Sequence, residues 1–209
     1  MAKEIERLQS VSAVAINKTG KILELHRSPA KKYNPDQWNV VAGKLEVGKV
    51  PEVAILEEVL QETGRKASIL MPPVVWHIYQ PDHEVLFEDH AFLVTLESEE
   101  IQLNEEHIEY DWSDPFAESE NVMVPFFYEN LHMVGITRSR EPYKILYTNW
   151  KGETEWQIIA PRRYYFGTTE YHKTEQWLLE AYNPVKDAMR TYAVADIHLL
   201  IPPIYRGEE

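Results

Sequence analysis

Residues 43–64 read GKLEVGKVPEVAILEEVLQETG, and the reading of this stretch decides the fold. A glycine turn at Gly43 feeds a helix that opens near Pro51, where a missing N–H does no harm, and stops at Gly64. Ala54, Ile55, Val59 and Leu60 fall on one side and form its expected buried stripe. The last turns carry Glu57, Glu58, Gln61 and Glu62. Glu58 and Glu62 lie one turn apart and project together, with Gln61 beside them. Like charges on one helical face repel and weaken a bare helix. A cation between them resolves the conflict, and hard oxygen donors of this kind suit Mg²⁺ or Mn²⁺.

Working outward, residues 12–17 alternate and are rich in small and branched side chains, which predicts a strand. Residues 18–20 make a hairpin turn, and 21–26 return. Residues 28–36 form a loop with two prolines, and 38–41 a short strand into the glycine turn. Residues 74–79 and 85–96 read as strands around an acidic turn. Residues 124–133 read as a helix with an aromatic face. The order predicts an α+β fold, a mixed sheet sandwiched between helices. Residues 136–142 (ITRSREP) have no apolar period and mark an expected boundary between domains at 1–138 and 143–205. Beyond it, strands are expected at 144–150, 155–159, 162–166, 176–182 and 190–194, building a small β-rich, barrel-like domain.

The chain has 209 residues, 44% of them apolar, enough for a substantial core. It has no cysteine, which excludes disulfides and thiol chemistry and fits a cytoplasmic setting. The N-terminal MAKEIERLQS lacks the apolar run of a signal peptide, and nothing reaches the ~18 residues of a membrane span. The net charge is −13 and uneven. Residues 1–141 hold 13 basic and 25 acidic side chains, and 142–209 hold 8 and 9. Such a surface disfavours nucleic acid as a partner and suits a small anion delivered as a metal complex. The G-x4-G-K-S/T loop, the HExxH motif and the GxSxG elbow are all absent from the sequence.

The 43–65 segment resembles the signature of the Nudix hydrolases, G-x5-E-x7-R-E-U-x-E-E-x-G-U, with U a bulky apolar residue. Gly43, Glu58, Val59, Glu62 and Gly64 match. Lys49 stands where the first glutamate is expected, Glu57 where the arginine is, Gln61 where a glutamate is, and Arg65 where the last apolar residue is. Lys49 and Glu57 carry the bracing charges with signs reversed. The resemblance implies a Nudix α/β/α sandwich that holds Mg²⁺ or Mn²⁺ and hydrolyses a phosphoanhydride. It implies metal ligation by Glu58, Glu62 and the Ala42 carbonyl, with Glu58 orienting or deprotonating the attacking water. Gln61, being neutral, implies weaker metal affinity or one fewer ion. The run E-H-x-x-Y-x-W at 106–112 is similar to a loop in several Nudix nucleotide hydrolases, and makes Glu106 the distant metal ligand, with Glu105 as its substitute. Arg27 and Lys44 are candidates for the substrate phosphates, and Trp38, Trp76 and Tyr110 for stacking on a base.

Residues 143–200 resemble WYL domains in the order of Tyr147, Lys151-Gly152, Pro161, Trp177-Leu178-Leu179, Ala181-Tyr182, Arg190 and Asp196-Ile197, although the eponymous triplet reads Trp-Leu-Leu. This implies a ligand-sensing module. Three readings follow. The first is a pyrophosphohydrolase acting on a nucleotide or nucleoside diphosphate-linked molecule; the resemblance leaves the oligomeric state open between a monomer and the homodimer that Nudix enzymes often form. The second is a catalytically weak nucleotide sensor on the same scaffold. The third, disfavoured by charge, is a nucleic-acid adaptor.

Overall fold

A computed structural model describes residues 6–80 and 84–203. The acidic turn at 81–83 and the ends of both expected domains, 1–5 and 204–205, lie outside the described residues. The first sheet is built on β1 (Glu6–Ala15), which pairs antiparallel with β4 (Val41–Lys44) and in parallel with β7 (Val85–Leu96). The far edge of β7 is shared end to end by β6 (Val74–Gln80) and β5 (Ala67–Ile69). A second sheet runs β3 (Trp38–Asn39), β2 (Ile22–Arg27), β8 (His107–Ser113). The first sheet is therefore mixed, as expected. The expected 12–26 hairpin is not built: beyond one bridge at Ile16 and Ile22, its second arm leaves for the other sheet.

Helix α1 (Pro51–Thr63) covers one face of this framework. Val11, Ala13 and Ala15 of β1 and Phe92 and Val94 of β7 pack there with Ala54, Ile55 and Val59. Val14, Ile16, Ala91 and Leu93 point the other way into a second apolar cluster. Strand alternation therefore splits β1 and β7 between two cores, and residues 11–15 and 91–94 are buried on both sides. Leu60 departs from the expected stripe: it is 47% exposed, and Glu62 and Thr63 are buried instead. The reason is the helical period, which carries position 60 past the sheet-facing arc that 55, 59 and 62 occupy. Gly64 ends the helix at φ +64°, its N–H donating to the Leu60 carbonyl.

The second cluster joins α2 (Phe127–Met133) to a C-terminal sheet of β12 (Ala188–Ala193), β11 (Gln176–Asn183), β10 (Thr154–Gly167), β9 (Tyr143–Thr148) and β13 (Ile197–Ile201), in that order. The expected strands at 155–159 and 162–166 are one long strand, β10, which pairs with β9 through its first half and β11 through its second. A bulge between Pro161 and Arg163 bends it there. The expected β-rich segment forms, but it is an open sheet and not a closed barrel, since β12 and β13 remain at opposite edges. The apolar face of the sheet is covered by α2 and the N-terminal framework rather than by curling on itself. Tyr164 donates to the Val134 carbonyl, and the Tyr143 hydroxyl lies 2.9 Å from His132 Nδ1. Among the described residues, no helix is long and apolar enough to cross a membrane.

Candidate functional site

A cleft of about 670 Å³ opens where β4 meets α1. Glu58 enters it across Gly43, and this is possible only because position 43 has no side chain. A Cβ there would sit 2.1 Å from Glu58 Cδ and 2.3 Å from Oε1. Burial pushes the Glu58 carboxyl above its ordinary value, and Glu106 adds to the effect while Lys49 and Lys31 oppose it. One turn further, Glu62 is 3% exposed. Its Oε2 is buried and has no hydrogen-bond partner. Burial pushes its carboxyl well up, with Glu58 and Glu106 reinforcing, and Arg27 and Lys31 opposing. A buried carboxylate oxygen with nothing to accept from is costly unless something positive completes it.

Glu106 enters from the loop before β8 and accepts from Lys31 Nζ at 2.5 Å, which holds its carboxyl below the usual range. His107 behind it is buried, and its imidazole is pushed down to about 4, mainly by desolvation and then by Arg27. It is thus a neutral ring at pH 7, beside the Asn104 side chain, and a packing residue rather than a cation. Arg27 lies in the cleft wall and donates to the carbonyls of Tyr33 and Asn34. Burial lowers its affinity for the proton, against the pull of Glu62 and Glu106.

The structure thus brings Glu58, Gln61, Glu106, Arg27, Lys44 and Ala42 to one cleft, with Glu62 buried behind them. Gln61 and Lys44 are exposed there. Lys49 and Glu57 form the reversed charge pair across the turn before α1. The three expected stacking platforms fall elsewhere. Trp38 is 8% exposed and its ring face is taken by His26 at 4.8 Å and 10°. Tyr110 sits opposite Leu25 in the β2–β8 ladder and does not line the cleft. Glu105 is exposed and outside the lining, so its neighbour Glu106 is the residue in reach. Trp76 donates its indole N–H to Asp89. The aromatic rings that do line the cleft are Tyr33, Phe87 and Phe126.

Sequence reasoning missed the cleft's polar floor. Asp89 is 2% exposed and accepts from Ser10 Oγ and Ser12 Oγ at 2.6 Å each and from Trp76 Nε1 at 3.0 Å. Ser12 Oγ also lies 3.0 Å from the Asn130 amide on α2. Asn39 borders the same cleft, its Oδ1 buried and unpartnered. The signal was present as polar residues interrupting apolar strands, in VSAVAI and in FEDHAF.

Among the described residues, no three acidic or histidine side chains already converge as a metal cage. The donor set nonetheless fits a hard divalent ion, which keeps several waters and takes only one or two carboxylates plus substrate oxygens. The unpartnered Glu62 oxygen and the Gly43 gap that admits Glu58 are the two observations behind that fit.

The fold is shared with known proteins. A NUDIX hydrolase from Nitrosomonas europaea superposes with a TM-score of 0.52 at 19% identity, over 62% of this chain and 88% of that one. A MutT NUDIX hydrolase from Burkholderia pseudomallei superposes with a TM-score of 0.53 at 18% identity, over 62% of this chain and 98% of that one. Both likenesses speak to the fold. The family profile described as the NUDIX domain matches residues 6–122, more than half of the chain, including α1 and every strand of the first two sheets. This chain belongs to the Nudix family.

Proposed function

We propose that the chain hydrolyses a phosphoanhydride bond in a nucleoside triphosphate or a nucleoside diphosphate-linked molecule, with Mg²⁺ or Mn²⁺. A divalent cation would be held by Glu58 and Glu62, with the Ala42 carbonyl as a further donor, and would supply charge neutralisation at the phosphates and activation of water, while Glu106 faces the Lys31 ammonium. Glu58 is the base: its burial and its acidic neighbour raise its proton affinity, which favours accepting a proton near neutral pH. Lys44 offers its ammonium to a phosphate at the cleft mouth. Phe87 and Phe126 provide the apolar wall for a base. Arg27 fixes the 28–37 loop through the Tyr33 and Asn34 carbonyls. The observation that carries this reading is the buried, unpartnered carboxylate oxygen of Glu62 behind Glu58.

The test is incubation of the purified chain with Mg²⁺ and a panel of nucleotides, followed by chromatography. Turnover in the wild type and its loss in Glu58→Gln is expected. Turnover no greater than that of Glu58→Gln refutes it. Gln61 favours a second reading, a nucleotide sensor with little catalysis, for which a nucleotide-dependent Tm shift without turnover is the mark. In either case the C-terminal sheet is proposed as a WYL-like sensing module. Its cleft of about 640 Å³, edged by Trp150, Lys151 and Arg190, is the place for a ligand.

A further inference from the structure

Three of the carboxylates in and behind the cleft, Glu58, Glu62 and Glu106, bear on one another. Glu58 and Glu106 each raise the proton affinity of Glu62, and Glu106 raises that of Glu58. Position 61, on the same helical turn, adds no charge because it is glutamine. A cation already stands among the acids: Lys31 Nζ is 2.5 Å from Glu106 and acts through space on both Glu58 and Glu62.

Lys31 is not there by the chance of a free loop. Its loop is tied to the strand before it by the Arg27 guanidinium, which donates to the Tyr33 and Asn34 carbonyls. It is tied to the segment carrying Glu106 by the Ser28 N–H, which donates to the Glu106 carbonyl at 2.8 Å. The two backbone anchors place the ammonium opposite the Glu106 carboxylate. Glu62, in contrast, has no such counter-ion in contact among the described residues, and its Oε2 is unpartnered there.

Resting on the metal-dependent reading above, we propose that Lys31 takes the place of a second divalent cation, so that the cleft binds one ion at Glu58 and Glu62 and answers Glu106 with an ammonium. A second ion at Glu106 must displace Lys31 and then face its charge at close range. A lysine ammonium is a compact point charge with three donors, so it can neutralise one carboxylate and still offer a donor to a phosphate oxygen. The neutral side chain at position 61 and the ammonium at position 31 act in the same direction. Both reduce the number of divalent ions the site can hold.

The experiment is a Mn²⁺ titration of the full chain, with free ion read by electron paramagnetic resonance, on the wild type, Lys31→Met and Lys31→Met/Glu106→Gln. Far-ultraviolet circular dichroism confirms that each is folded, and Lys31→Gln replaces any Met variant that is not. The expected result is one bound ion in the wild type, two in Lys31→Met, and one again in the double variant. One ion in both the wild type and Lys31→Met overturns this inference and leaves the metal site standing. Two or more ions in the wild type also overturn it. No Mn²⁺ uptake by the folded wild type overturns the proposed function together with it.

Discussion

Gly43→Ala places a single methyl group where the cleft has no room. The new Cβ would lie 2.1 Å from Glu58 Cδ, whereas carbon atoms in contact rest at about 3.5–4.0 Å. The carboxylate must therefore retreat by roughly 1.5 Å. Gly43 has no left-handed φ, so alanine meets no backbone strain. Glu58 is half-buried with solvent on one side, so it can swing away at the cost of a poorer rotamer, about 0.5–1.5 kcal/mol. A displacement of ~1 Å of a reacting group costs on the order of 100-fold in rate, equivalent to about 2.7 kcal/mol of transition-state stabilisation. We expect Gly43→Ala to remain folded with a small loss in Tm, to lose about 100-fold in kcat, and to bind Mn²⁺ more weakly. The checks are steady-state nucleotide hydrolysis, thermal melting and Mn²⁺ titration on the same preparation. Unchanged kcat and Mn²⁺ affinity would show that Glu58 does not act through the space above Gly43. A collapse of Tm would show that the glycine serves the backbone instead.

Three further outcomes are expected. Glu62 holds its proton more tightly when folded, so its contribution to stability is full below about pH 4.5 and is lost as pH rises through the folded value. Glu62→Gln should thus melt with the wild type in acid and above it at pH 8 without metal, with Mg²⁺ narrowing the gap by stabilising the wild type alone; a gap independent of pH refutes the burial argument. Lys49→Glu should lower Tm by facing Glu57 with a like charge, and adding Glu57→Arg should restore it, while additive effects in the double variant exclude coupling. Gly64→Ala should cost about 1–2 kcal/mol from its left-handed backbone alone, and more from the Gln102 Cβ that lies 2.8 Å from the added methyl; urea melts measure it, and a neutral effect refutes the cap.

The helix, its glycine stop and the Glu58–Glu62 pair were legible because local spacing determines them. The pairing of strands was not. Ile16 and Ile22 look like the base of a hairpin, yet β1 finds its partners in β4 and β7, and sequence distance says nothing about that choice. Residues 106–112 read as a loop, whereas most of them build β8, because Glu109 and Asp111 are exposed on an edge strand, which tolerates charge. The last strand, β13, was lost because its residues alternate between Leu200 in the core and Leu199 and Ile201 at the surface. Leu60 misled for the opposite reason: an apolar residue carried to the surface by helix geometry. The reversed charge pair was visible at its signature spacing and does form. Asp89 was invisible as a site residue, since its role depends on Ser10, Ser12 and Trp76 converging from two other strands.

The second apolar cluster has a consequence for how the chain can be dissected. Asn130 borders the cleft from a short helix whose Phe127 and Leu131 are held by the same cluster that contains Tyr143, Ile159 and Leu200. His132 on that helix also lies 3.1 Å from the Pro203 carbonyl, near the end of the described chain. Trimming the protein back to its signature-bearing half would therefore strip an oily face bare and unseat one wall of the cleft. A shortened fragment that precipitates or turns over poorly would then report lost support, not lost chemistry.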